Sequence, residues 1–347
     1  MSIAEASPTP RTGPRTGDKV RVRSREEILA TLDKDGSIDA LPFMPEMLEF
    51  AGKELTVSAR ADKTCDTLFW TGNRRMEKTV HLVGGRCSGA AHGGCEAYCM
   101  LFFREEWLEW ADRPGLPIAE PAQTGGGTAE QDLHAATRQS DAPDAPYRCQ
   151  ATEHFNASSA IPPHNYYQYI HDVRIRNVSA WFAFKGLSVF AFNKYQRLSK
   201  KFLPAKLRIS AGAEYPFVKP TGTGDRITPV PLQPGDLVEV RSKDEILATL
   251  GPDQRNNKMW FDAEMLPYVG QRARVIRKVT KILNENTGKM MKVADCYILE
   301  NMICMGLYHR FCQRAITPYW RSSWLRKIEE PVTQSGSTPA SSTGDRS

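Results

Sequence analysis

The sequence predicts an α+β fold, mainly β with helices. It consists of two homologous small β-barrel repeats, each followed by a cysteine-bearing loop and helix, joined by a helical insertion. Three observations predict this. Residues 17–57 recur without a gap at 235–275. Short runs of alternating apolar and polar residues lie between turn residues in each copy. The same cysteine–histidine spacing follows both copies.

The recurrence is dense. Gly17 matches Gly235, Arg23-Ser24 match Arg241-Ser242, Phe43 matches Phe261, Met47-Leu48 match Met265-Leu266, and Gly52 matches Gly270. Self-similarity at one offset outweighs any single-window reading. Within a copy, Val20 and Val22 alternate with Lys19 and Arg21, which fits a half-buried strand. Ser24 can cap a short helix, REEILATL, and Glu27 completes a capping box. Gly36 marks a turn. Pro45 to Leu48 suggests a helical turn that Gly52 breaks before a second strand, Glu54 to Arg60. Two more strands are expected, roughly Asp66 to Trp70 and Thr79 to Val83, across a Thr71-Gly72-Asn73 turn.

The opening GDxVxVR and the short curved strands resemble SH3-like barrels of the KOW type. The resemblance spans about fifty residues of each copy and implies a barrel fold, with no activity attached. The whole pattern is similar to uncharacterised bacterial proteins with duplicated barrels of this kind.

These signals divide the chain of 347 residues. Residues 1–16 read as a disordered leader, 17–112 as barrel repeat 1 and 113–147 as a polar linker. Residues 148–215 read as the helical insertion, 216–234 as a Pro-rich connector, 235–328 as barrel repeat 2 and 329–347 as a disordered tail. Hydrophobic residues make up 41% of the chain, enough for a sizeable core. The net charge of +6 is mildly basic, short of a dedicated nucleic-acid binder. The N-terminus shows no apolar secretory region, so a reducing, cytoplasmic location is expected, where clustered cysteines favour metal over disulfide.

Three cysteines and a histidine crowd the stretch RCSGAAHGGCEAYC, Arg86 to Cys99. Cys87, His92 and Cys95 have offsets of five and three, and Cys304, His309 and Cys312 repeat them. Trp107 and Trp324 each lie twelve residues beyond the last cysteine of their trio. Cys65 and Cys99 are peculiar to repeat 1, Cys296 to repeat 2, and Cys149 lies outside both. The simplest partition places Cys65, Cys87, Cys95 and Cys99 in site 1. Cys296, Cys304 and Cys312 then form site 2, closed by Cys149 or by His309. His81, His92 and His309 are candidate ligands or hydrogen-bond partners of ligands. A four-thiolate set suits either Zn2+ or a [4Fe–4S] cluster, and the sequence does not separate them. Cys95 and Cys99 are four apart in an expected helix, CEAYCMLFFREEWLEW. That would put them on one face, near a helix N-terminus that favours thiolate.

Other chemistry finds less support. No Gly-rich phosphate loop, HExxH or GxSxG occurs. A Cys95 nucleophile with His92 as base lacks an orienting third group. Residues 177–202, rich in aromatic residues and then basic with Lys194, Arg197, Lys200 and Lys201, read as a helix packed between the barrels. An amphipathic helix on an anionic partner, membrane surface or nucleic acid, is the competing reading. For the whole chain the alternative to metal binding is a nucleic-acid or ribonucleoprotein-binding module that uses the SH3-like barrels, with its cysteines buried and reduced. No run of apolar residues is long enough to span a membrane.

Overall fold

The computed structural model describes residues 13–69, 71–120, 127–140, 142, 144–162, 164–218 and 227–329. The expected leader and tail lie almost wholly outside these, as do parts of the linker and connector. Helix and strand contribute similarly, 25% and 23%, so the chain is α+β rather than mainly β. The long inserted helix makes the difference.

Two antiparallel sheets carry the molecule. The first runs Phe103–Arg104, Thr79–Leu82, Glu54–Arg60, Lys19–Val22, Leu108–Trp110. The second runs Met290–Leu299, Arg272–Leu283, Leu237–Val240, Leu325–Lys327. Their registers correspond. Lys19 pairs with Thr56 and Val22 with Leu108; Leu237 pairs with Arg274 and Val240 with Leu325.

The local signals act as their chemistry dictates. Ser24 and Glu27 form a reciprocal capping box on the helix Arg25–Thr31. Ser242 and Glu245 do the same for Lys243–Ala248. Each helix turns its apolar side inward, burying Ile28 and Ile246. The cores centre on edge-to-face aromatic pairs, Phe43 with Trp107 at 5.0 Å and Phe261 with Trp324 at 5.4 Å. Such pairs contribute about 0.5–1.5 kcal/mol beyond area burial.

Three expectations are corrected. Asp66 to Phe69 is not a strand: Asp66 accepts backbone N–H groups from Leu68, Phe69 and Thr71, which holds a turn between Thr64–Cys65 and Asn73–Arg75. The helix expected from Cys95 does not form. Tyr98 is left-handed (φ 58), and the chain pairs back on the loop it left. Cys87 N–H donates to the Cys99 carbonyl at 2.8 Å, and Leu101 N–H to Gly85 at 2.8 Å. A single 3-10 turn, Glu105–Trp107, follows, and Ser322–Trp324 is its counterpart in the second half. The polar linker contains a helix, Glu130–Ala135, whose Leu133 is buried against the first core.

The insertion is built on Tyr167–Arg174 and Ala180–Phe202. Ser179 caps the longer helix, which ends just before Leu203-Pro204. Lys63 and Asp172 make a fully buried ion pair that ties the insertion to the first half, with Lys63 4.6 Å above the Tyr169 ring. Gly186 lies so close to Phe311 that a Cβ would come within 2.4 Å of its ring. The long helix therefore packs on the second half's cysteine loop along one side. Its other side leaves Trp181, Phe184, Leu198 and Phe202 exposed, which packing between the two halves does not explain.

Candidate metal centre

Each cysteine loop folds around a glycine that no other residue can replace. Gly89 has φ +75, and a Cβ there would lie 1.9 Å from the Cys95 carbonyl oxygen; at Gly306 (φ +73) the distance to Cys312 is 2.4 Å. His92 and His309 N–H groups donate back to these glycines, both at 3.2 Å. The tight turn brings cysteine and histidine side chains together, Cys87 Sγ to His92 Nε2 at 3.7 Å and Cys304 Sγ to His309 Nδ1 at 3.5 Å.

A glutamate completes each group. Glu46, on the 3-10 turn Pro45–Phe50, accepts from the Cys87 thiol at 3.2 Å and lies 3.4 Å from His92 Nδ1. Glu264, at the corresponding place on Ala263–Tyr268, stands by Cys304 and His309. The donor atoms of Glu46, Cys87 and His92 all lie within 4.8 Å of one another, as do those of Glu264, Cys304 and His309. Either group could hold a metal ion. Sequence reasoning missed both glutamates, although the repeat aligned them: each directly precedes a matched Met-Leu pair.

The two halves then clasp each other reciprocally. The first hairpin's tip reaches the second loop: Gln313 N–H donates to the Lys63 carbonyl at 2.8 Å, and Cys65 N–H to Cys312 Sγ at 3.0 Å. The second hairpin's tip reaches the first loop: Glu96 N–H donates to the Lys281 carbonyl at 3.1 Å, and Leu283 N–H to Cys95 Sγ at 3.3 Å. Every partner in one set has the repeat-related position in the other. Between the clasped halves lies a cavity of about 740 Å³, lined by Cys65, Cys87, Cys95, Cys99, Cys149 and Cys304, with His92 and His309.

The predicted ligands thus meet in an order the sequence did not suggest. Cys65 joins Cys312, whose thiol it hydrogen-bonds, rather than closing on its own repeat's trio. Cys149 is buried in the first core beside Cys87 and Cys95, with Cys99 packed against them. Gln150 fixes it there: its amide donates to the Pro42 and Phe102 carbonyls at 3.0 and 2.9 Å and accepts from Phe102 N–H at 2.9 Å. Cys296 packs with Val279 and Ile298, its thiol donating to the Ala294 carbonyl. His81 turns into the core, Nδ1 on the Leu101 carbonyl at 2.8 Å.

Burial sets the charge of most groups at the site. Burial pushes the Cys87, Cys95 and Cys304 thiols up, and takes Cys99 and Cys149 to about 12. Burial also pushes His92 down. Cys65 is the exception, brought down to about 6 by the Cys312 hydrogen bond with Arg314 and His309 nearby. At His309 burial opposes charging, but Asp262 and Cys304 outweigh it and raise the ring to about 11. Buried thiols stay protonated unless positive charge arrives, and a soft metal ion would supply it and displace the protons. His92 Nδ1 and Glu46 Oε2 have no hydrogen-bond partner, as donor atoms awaiting a ligand would not. The donor set therefore fits a thiolate-bound metal. No known protein family, curated protein or solved structure matches the chain.

Proposed function

We propose that this chain is a metal-binding protein with cysteine-ligated centres, one for each of two homologous SH3-like barrel repeats. The observation that supports it best is the Glu–Cys–His group assembled twice from corresponding positions, with the cysteine and histidine of each lining one cavity. Zinc or an iron–sulfur cluster suits the donors, as a structural staple or as a redox centre in a reducing cytoplasm. Anaerobic purification followed by metal and acid-labile sulfide analysis tests this. Bound zinc or iron in stoichiometric amount is expected. A metal-free chain whose thiols all titrate would refute it.

An anionic partner, membrane surface or nucleic acid, suits the inserted helix. Residues 180–212 contain Lys185, Lys194, Arg197, Lys200, Lys201, Lys206 and Arg208 and no acidic residue, beside the exposed aromatic face. Among the described residues no helix is long and apolar enough to cross a membrane. Association with anionic vesicles or nucleic acid that weakens steeply as salt rises is the expected result.

A further inference from the structure

Seven of the eight cysteines gather on the two clasped loops and the segments that reach them, and they do not group by order along the chain. The hairpin tip that touches Cys95 offers Leu283, which cannot bind a metal. The tip that touches Cys312 offers Cys65 at the equivalent place. Conversely, the first half has Cys99 where the second has Ile316, and it packs Cys149 into the same core cluster as Cys87 and Cys95. Counting thiols by place rather than by chain order gives four on the first side and three on the second, where His309 adds a fourth donor.

Building on the metal-binding reading above, we propose that the two centres are iron–sulfur clusters with crossed ligand sets. Cys87, Cys95, Cys99 and Cys149 hold one; Cys65, Cys304, Cys312 and His309 hold the other. Each half thus completes its cluster with a residue from outside its own repeat. Cys65 comes from the opposite hairpin and Cys149 from the insertion, so neither centre can form before the halves and the insertion dock. Cys296, bonded to a backbone carbonyl in a separate apolar cluster, belongs to neither.

The spread of the sulfurs favours a cluster over a single ion. A tetrahedral zinc with Zn–S near about 2.3 Å holds its thiolates about 3.8 Å apart. Among the described residues, groups of three or more donors within 4.8 Å of one another are the two Glu–Cys–His sets, each with a single sulfur. Cys65 and Cys312 form a hydrogen-bonded pair, but no three thiols come within that distance of one another, and the cavity beside them holds about 740 Å³ of space. A cofactor with its own iron and sulfide atoms fills such a gap, and one atom does not.

Double substitution reads the grouping directly, because two ligands of one cluster are not additive while ligands of different clusters are. The full chain, purified anaerobically, is assayed for iron and acid-labile sulfide. C65S and C149S should each lose about half the iron, and C296S none. C65S/C304S should lose no more than C65S, and C149S/C87S no more than C149S. C65S/C87S and C149S/C304S should lose nearly all. The opposite pattern, with Cys65 grouping with Cys87 and Cys149 with Cys304, overturns the crossing. Zinc without iron or sulfide overturns the cluster assignment while leaving metal binding intact, whereas a wild-type chain without any metal defeats the metal-binding reading itself. A second measurement avoids any folding defect of the variants. In wild-type protein labelled with 15N-histidine, nitrogen hyperfine coupling should appear on one of the two reduced clusters. Its absence from both excludes His309.

Discussion

The two cysteine loops share a backbone and differ in charge. Around Cys87 the histidine is buried beside Glu46, and burial pushes its pKa down. Around Cys304 the equivalent histidine is half exposed and meets Asp262, which stands where the first half has Met44, and its pKa rises to about 11. Asp262, in the place of Met44, acts with the Cys304 hydrogen bond to favour charge on His309, while deeper burial disfavours it on His92. The two loops share one geometry, and the residues around them give each a different electrostatic setting.

The comparison can be broken at several points, the largest first. Gly89→Ala and Gly306→Ala should each cost about 3 kcal/mol or more, since both need a left-handed residue and a carbonyl moved aside. The Gly89 variant should suffer more, its contact being closer; urea midpoints would show it, and equal, small losses would contradict the loop geometry. Lys63 and Lys281 are repeat-related but differently placed. Lys63 is buried on Asp172, whereas Lys281 reaches the Gly93 carbonyl at the surface. Lys63→Met should therefore cost about 3–5 kcal/mol, and Lys281→Met about 1 kcal/mol or less. Restoring much of the loss with a second change, Asp172→Leu, would confirm that the stranded carboxylate is the cause.

Acid should reach the first half before the second. Burial holds His81 neutral, down to about 4, and His154 down to about 2. Below about pH 6.5 the unfolded chain takes up protons that the folded chain refuses. Stability is therefore full above that pH and lost as pH falls toward 4. The counterpart of His81 is Ile298, so His81→Ile should flatten the fall in urea midpoint between pH 7 and pH 5; an unchanged slope would count against a buried neutral ring. The smallest effect is the most symmetrical. Ser24→Ala and Ser242→Ala should each cost about 1 kcal/mol, because the two capping boxes are alike.

Much of this was legible in the sequence, wherever the determinant was local. The capping boxes, the strands Lys19–Val22 and Glu54–Arg60 and the repeat register follow from patterns within a few residues. The Cys-x4-His-x2-Cys spacing marked both loops. What failed was long-range. Cys95 to Trp110 has helical periodicity, yet edge pairing to Gly85 and Cys87 took the chain first. Nothing in the spacing of Cys65 tells that its hairpin leans over the opposite half, or that Gln150 pins Cys149 beneath Phe102. Glu46 precedes the matched Met-Leu pair, but only the fold sets it beside a buried thiol.

The central claim, that this chain carries metal between its two halves, has a direct measurement. Native mass spectrometry of the anaerobically isolated protein weighs any bound inorganic component against the 38.9 kDa polypeptide. The account predicts added mass equal to two metal centres, lost together when the protein is unfolded in acid. A chain found at the bare polypeptide mass under those conditions would contradict it.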